Sequence, residues 1–314
     1  MNTGSIPSFQ DVLDAYSRIR YLVHRTPVHQ SVSVNSITGS ELFFKCENFQ
    51  KVGAFKFRGA SNAVGLLSED EKKPGVVTHS SGNHAAALAL AARMNGIPAY
   101  IVMPDNSPEI KINAVRNYGG NITFCPPSLE DREKYSREII GRTGATFIHP
   151  YDHPHVIAGQ GTCAYELLSD FPQLEVLVVP TGGGGLLAGS LLAAKAMIPG
   201  IQVIAAEPLG ADDAFKSFYS GKWHPSVKPS TIADGLLTSI GQINFSIMQQ
   251  HLNEVIRVSD EQIIQAMELL WERMKLVVEP SGAAGLAAVL AQPDYFKNKK
   301  TGIIISGGNR AFQL

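Results

Sequence analysis

Apolar positions along the chain fall into two alternating rhythms. Short, nearly continuous apolar runs at 41–46, 75–79, 99–103, 121–124, 146–149, 175–180, 202–206 and 302–306 read as strands. Stretches of helical period lie between many of them, at 84–94, 108–118, 129–141, 159–168 and 186–197. Ser8 and Asp11 have the spacing of a helix start, followed by Val12, Leu13, Tyr16 and Ile19. Ser68 with Glu71, and Ser259 with Gln262, have capping-box spacing. The helix after Ser259 carries Ile263, Ile264, Met267, Leu270, Trp271 and Met274, which read as one core face rather than a cofactor box. Strand–helix alternation with short connections predicts an α/β fold of open, mostly parallel twisted sheets flanked by helices. The division expected is a large domain from 1–75 and 148–314 and a small one from 76–147.

Composition narrows this little. With 314 residues the chain can bury two cores, and a net charge of -1 at pI near 6.8 favours neither nucleic acid nor an anionic membrane. Residues 176–194 carry no charge, but Pro180 and four consecutive glycines divide them into strand, turn and helix instead of a membrane span. Cys46, Cys125 and Cys163 form no metal or disulfide pattern, which fits a reducing, cytoplasmic setting.

Three stretches carry candidate chemistry. Lys56 stands between Phe55 and Phe57, just before a helix-compatible run. Desolvation by such neighbours disfavours the ammonium form, and a neutral lysine can form a Schiff base with an aldehyde. Thr181-Gly182-Gly183-Gly184-Gly185 links a buried strand to a helix, a place where free backbone amides and the helix N-terminus attract phosphate. Gly183, Gly185 and Ala188, with Glu207 after the next strand, also fit a dinucleotide fingerprint, so a nucleotide-binding sensor competes. Ser80-Ser81-Gly82-Asn83-His84 is a second strand-to-helix turn, suited to a carboxylate or to simple helix capping.

The Lys56 stretch, the Ser80–His84 turn, the tetraglycine, Ile232-Ala233-Asp234-Gly235, Glu279-Pro280-Ser281-Gly282 and Ser306-Gly307-Gly308-Asn309 follow one another in this order. As a set they resemble the pyridoxal-phosphate enzymes of the tryptophan-synthase-β fold type (fold type II), in particular the serine racemase and serine/threonine dehydratase family. Residues 151–156 resemble its fungal branch, which includes 3-hydroxyaspartate dehydratases. The resemblance implies that Lys56 forms the imine with pyridoxal 5'-phosphate and is the base on one face, with Ser81 the acid/base on the other. It implies Asn83 beside the phenolic oxygen, Gly182, Gly183, Gly184 and Gly185 around the phosphate, and Ser306 at the ring nitrogen. Ser80, Ser81, Asn83 and His84 would surround the substrate carboxylate.

The activity implied is racemisation of serine with L-serine and L-threonine dehydratase (ammonia-lyase) activity. 3-Hydroxyaspartate or threonine dehydration without racemisation is the alternative, and β-replacement a further one on the same fold. The resemblance also implies a homodimer, a divalent cation (Mg²⁺, Ca²⁺ or Mn²⁺) on Glu207, the Ala211 carbonyl and Asp213, and ATP at Lys51, Tyr118, Lys275 and Asn309. By composition alone 207–213 is a solvated acidic loop. His149, His153 and His155 lack structural-zinc spacing, and Arg132 reads as a surface helix arginine with some reach toward a substrate carboxylate. Ala54 replaces a serine common in the family. With five residues after Asn309, no C-terminal regulatory domain is expected, which speaks against biosynthetic threonine deaminase.

Overall fold

The computed structural model describes residues 5–80 and 82–311. Ten strands form two sheets: β1 (Val28–His29), β2 (Glu41–Cys46), β3 (Val76–His79), β4 (Ala99–Pro104), β5 (Asn121–Cys125), β6 (Thr146–Phe147), β7 (Val176–Pro180), β8 (Gln202–Pro208), β9 (Glu254–Val258) and β10 (Lys300–Ile305). The larger sheet has the order β1-β2-β10-β7-β8-β9, and the smaller one β5-β4-β3-β6. Every pairing is parallel except β1 with β2.

The larger sheet is buried on both faces because its central strands carry apolar runs at 42–44, 176–180, 203–206 and 303–305. Side chains alternate between the faces. Phe44, Val178, Ile204 and Ile303 pack under the helices Asp260–Met274 and Pro280–Ala291. Phe43, Leu177, Val203 and Ile304 pack under Pro154–Asp170 and Gly185–Met197. The helix Asn83–Met94 covers one face of the smaller sheet and also packs against the helix Lys56–Gly65, which belongs to the larger sheet's side. Burying Phe57 in that shared core contributes about 1.5–3 kcal/mol and anchors the helix that begins at Lys56.

A dry ionic cluster fixes the same helix. Arg58 Nε meets Glu47 at 2.8 Å and Arg58 Nη2 meets Glu166 at 2.8 Å, while Lys45 Nζ lies 2.7 Å from Glu166. Thr26 Oγ1 donates to Glu47 at 2.6 Å, and all four charged side chains are buried. Burial works to raise the Glu47 carboxyl, but the Arg58 charge and hydrogen bonds outweigh it and hold the group ionised. Removing one member would strand a buried charge at a cost of roughly 3–5 kcal/mol.

Several details differ from the sequence reading. The helix expected from residue 159 begins at Pro154, with His153 as its N-cap and proline in its first turn. Gly159 and Gly161 lie inside it because it crosses its neighbours closely. A Cβ at Gly159 would stand 2.7 Å from Gly59 Cα, and one at Gly161 2.7 Å from the Gly189 carbonyl. Trp271 is not core: it is 54% exposed, and Ile264 is exposed with it. Ile263, Ala266 and Leu270 form the buried stripe; residues 264 and 271 sit one step of about 100° around the helix and share a separate outward stripe. The uncharged stretch 176–194 resolves into β7, a turn and the helix Gly185–Met197. No helix among the described residues is long and apolar enough to cross a membrane.

Candidate active site

The carboxyl ends of β2, β3, β7 and β10 lead into one crevice, where open parallel sheets generally bind ligands. After β2 the chain makes two short 3-10 turns and reaches Lys56 under tight control. Val52 carries φ +58, a region a β-branched residue rarely adopts. It is held there by Asn309 Nδ2, which donates to its carbonyl at 2.7 Å, and by Gly308 N, which donates to the Gly53 carbonyl at 2.9 Å. Phe55 N then donates to the Ser306 carbonyl at 3.0 Å, so the segment after β10 is stitched to the residue before Lys56.

The Lys56 amine donates to the Pro150 carbonyl at 2.9 Å and lies 5.1 Å from the centre of the Phe55 ring and 5.9 Å from that of Tyr151. Burial pushes its pKa down to about 8, with the charge of Glu279 pulling the other way. Its place in the first turn of a helix further disfavours a cation. A substantial fraction of a lysine so placed is neutral near pH 8, the form a nucleophile requires.

Tyr151 joins this amine to the tetraglycine. A Cβ at Gly183 would stand 2.5 Å from the Tyr151 ring, one at Gly182 would stand 2.6 Å from Leu236 Cα, and one at Gly185 would meet the Tyr151 carbonyl at 3.0 Å. Gly184 has φ +83, which favours glycine on its own account. A side chain at Gly182, Gly183 or Gly184 would therefore clash with its neighbours, and one at Gly185 would be tight. Among the described residues, none accepts a hydrogen bond from the amides of Gly182, Gly183, Gly184 or Gly185. Free amides at the start of a 13-residue helix make an anion-binding arrangement.

The second turn is built differently. Ser81 lies outside the described residues. Ser80 N donates to the Val102 carbonyl at 3.1 Å, and the helix from Asn83 to Met94 has no side-chain cap at its start. His84 is buried with both ring nitrogens unpartnered. Burial, together with the nearby Lys56 and His149, drives its pKa well below the ordinary histidine value. Burial also brings His79 to about 4, with help from Arg132, and His149 to about 3. His149 Nδ1 accepts from the Asp152 amide at 2.9 Å and its ring stands edge-on to Tyr151 at 4.6 Å. His153 instead accepts from the His155 amide at the helix start, so the three histidines of this loop do not converge on one point.

Sequence reasoning assigned no role to Glu279, Tyr151 or Pro150. Glu279 is buried; its Oε1 accepts from Asn83 Nδ2 at 2.8 Å and its Oε2 from Asn309 N at 3.2 Å. Burial and Asp234 push its pKa up to about 7 against the pull of Lys111. Asn309 Nδ2 donates to Asn83 Oδ1 at 2.8 Å, closing the network. The Glu-Pro pair at a helix start was the available signal. Lys111, on the smaller sheet's side, forms a salt bridge with Asp234 on the larger sheet's side.

Glu207 and Asp213 are buried near each other away from Lys56. Glu207 accepts from the amides of Ala214 and Phe215, both at 2.8 Å, and Asp213 Oδ2 accepts from the Ile240 amide at 2.8 Å. Asp213 Oδ1 has no partner, and Ala211 and Asp213 border a cleft of about 190 Å³ together with His224 and Ser226. Burial and, for Glu207, the neighbouring Asp213 raise both carboxyls, Asp213 to about 6.

Against families of known proteins, residues 19–307 match the pyridoxal-phosphate dependent enzymes. The chain belongs to that family. As a pyridoxal-phosphate dependent enzyme it is 47% identical to the serine racemase of Dictyostelium discoideum over 308 residues, covering 96% of this chain and 94% of the relative. It is 46% identical to the beta-hydroxyaspartate dehydratase of Paracoccus denitrificans, covering 97% of this chain and 96% of that one. The solved structure of maize serine racemase superposes with a TM-score of 0.95 at 46% identity, covering 98% of this chain and 95% of that chain. The residues present suit the family's cofactor. A lysine amine of lowered pKa and a run of free amides stand on either side of one tyrosine ring, with unpartnered imidazole nitrogens beside them.

Proposed function

We propose that this enzyme interconverts L- and D-serine and also eliminates water from L-serine and L-threonine. The observation that carries the reading is the Lys56 amine, desolvated, aimed by the Pro150 carbonyl, and one aromatic ring away from the tetraglycine. Pyridoxal phosphate, when bound, supplies an aldehyde for that amine and an electron-accepting ring that acidifies the substrate Cα–H.

The chain's own residues do the rest in this reading. The amides of Gly182 to Gly185 and the dipole of the helix behind them bind the phosphate dianion. Ser306, at the end of β10, accompanies the ring nitrogen, and Asn83, oriented by Glu279 and Asn309, faces the phenolic oxygen. The start of the helix Asn83–Met94, which has no side-chain cap, takes the substrate carboxylate together with Asn83 and His84. His84 is held neutral, so it offers a donor without a charge that would compete with Lys56. Lys56 exchanges the Cα proton on one face and Ser81 on the other. A neutral serine beside the ring nitrogen does not enforce its protonation, so departure of the β-hydroxyl competes with reprotonation.

Arg132 favours a second reading, dehydration of 3-hydroxyaspartate. It is half-buried, and its positive charge acts on both His79 and Tyr151, the kind of charge a second substrate carboxylate would need. The unpartnered Asp213 oxygen beside Glu207 supports a hard divalent cation bound with the Ala211 carbonyl. The same reading carries ATP at Lys51, Tyr118, Lys275 and Asn309, a homodimer and a cytoplasmic setting; the exposed Trp271 stripe supports the dimer.

Incubating the purified enzyme with L-serine, L-threonine and 3-hydroxyaspartate, and measuring D-isomer and oxo acid for each, separates the two readings. D-serine formation supports the first; oxo acid from hydroxyaspartate alone supports the second. Lys56→Ala is expected to remove the visible absorption of the bound cofactor and all turnover. An unaltered spectrum in that variant would falsify the central assignment.

A further inference from the structure

The outer wall of the tetraglycine turn contains a polar side chain that the proposed chemistry does not use. Asn244, in the helix Gln242–His251, is 1% exposed, and its Nδ2 donates to the Gly183 carbonyl at 2.7 Å and to the Tyr151 carbonyl at 3.2 Å. Both neighbours are carbonyls, so the side-chain amide can present only its nitrogen to them. The Gly183 carbonyl also accepts from the Gly241 amide at 3.1 Å. In turn, the helix that carries Asn244 is seated by Asp152, whose carboxylate accepts from the amides of Gln242 and Ile243, each at 3.0 Å.

A peptide unit is planar, and in the trans form its carbonyl and its N–H point in opposite directions. Two donors that hold the Gly183 carbonyl to the outside therefore hold the Gly184 N–H to the inside. Without them the peptide between two glycines would be free to rotate, because neither residue restricts its own φ and ψ. Asn244 also occupies the space above Gly184: a Cβ there would stand 2.9 Å from Asn244 Cβ.

We infer that Asn244 is a positioning residue for the cofactor's phosphate, fixing the Gly183–Gly184 peptide so that its amide is presented to the anion. The inference rests on the tetraglycine being the phosphate site. It distinguishes this turn from a flexible glycine loop, since its preorganisation comes from a side chain about sixty residues downstream. Asn244 touches neither substrate nor cofactor in this scheme; it acts through the peptide it holds.

The test compares the full chain with Asn244→Leu and Asn244→Asp. Holoenzyme of each is freed of cofactor by hydroxylamine and dialysis, then titrated with pyridoxal phosphate and, separately, with pyridoxal, which lacks the phosphate. Asn244→Leu removes the donor at similar volume, and Asn244→Asp keeps the shape but offers at most one O–H in place of two N–H donors, so a folding failure of one leaves the other usable. The wild type is expected to prefer pyridoxal phosphate strongly. In both variants its dissociation constant should rise about tenfold, equivalent to about 1.4 kcal/mol, with pyridoxal affinity unchanged. Equal weakening toward both ligands, or no weakening, overturns the role of Asn244 while leaving the phosphate site intact. A wild type that binds both ligands equally overturns the phosphate site and the inference with it.

Discussion

Two turns lead from parallel strands into helices at this crevice, and they are built on opposite principles. Gly182–Gly185 is all backbone, buried, and packed so closely by Leu236, Tyr151 and Asn244 that a Cβ at Gly182, Gly183 or Gly184 would clash. Ser80–His84 is rich in side chains, and a Cβ at Gly82 would meet nothing nearer than Lys111 Nζ at 3.8 Å. A fixed dock for an invariant anion can use peptide groups alone. A turn that must accommodate substrate and exchange protons needs hydroxyls, an amide and an imidazole with room around them.

The largest effect on cofactor binding should come from filling the first turn. Gly183→Ala places a methyl group into the Tyr151 ring, and pyridoxal-phosphate affinity is expected to fall roughly 100-fold, read by absorbance titration. Retention of full affinity would mean that the packed turn is not the phosphate dock. Next is Ser81→Ala. Racemisation of L-serine, followed by chiral chromatography, should drop by about 10²–10⁴, while pyruvate formation persists. Parallel loss of both activities would remove the second-face role.

A milder effect is expected from acid. The folded chain keeps His79 neutral down to about 4 and His149 down to about 3, whereas their unfolded values lie near 6.5. Between those limits the unfolded chain binds more protons, so stability falls as pH drops from 6.5 toward 4. Glu279 opposes this, since its folded value of about 7 lies above its unfolded 4.5 and favours the native state as pH falls through that window, and the raised carboxyls of Asp213 and Glu207 act with it. The histidines, His79 and His149 joined by His84 and His153, should prevail. Thermal unfolding from pH 7 to 4 should show a declining midpoint, and His149→Phe should make the decline shallower. The smallest change belongs to Gly82→Ala, where cofactor affinity should stay put and KM for L-serine should move by no more than about threefold. A large loss of cofactor binding there would erase the contrast between the turns.

The strand–helix rhythm, the tetraglycine and the position of Lys56 were legible because each is local: an apolar run, a cluster of glycines, a lysine between aromatics. Glu279 stands in a motif visible in the sequence yet received no role, because its partner Asn83 lies 196 residues away and only the fold joins them. The helix start at Pro154 was missed because Gly159 and Gly161 weaken helix propensity, and close crossing against Gly59 and Gly189 outweighed that penalty. Trp271 was misread because a residue's hydrophobicity does not reveal which of two adjacent stripes faces inward.

Lys45, Glu47, Arg58 and Glu166 pair two positive side chains with two negative ones in a buried cluster, with Arg58 two residues after Lys56. Substitution at any one of them is penalised until its opposite number changes too, so these four sites are expected to travel through sequence space together. Anyone redesigning the enzyme for harsher conditions should exchange the quartet in a single step for apolar side chains of matching volume, since every intermediate variant on a stepwise route would leave an ion unanswered beneath the helix that begins at Lys56.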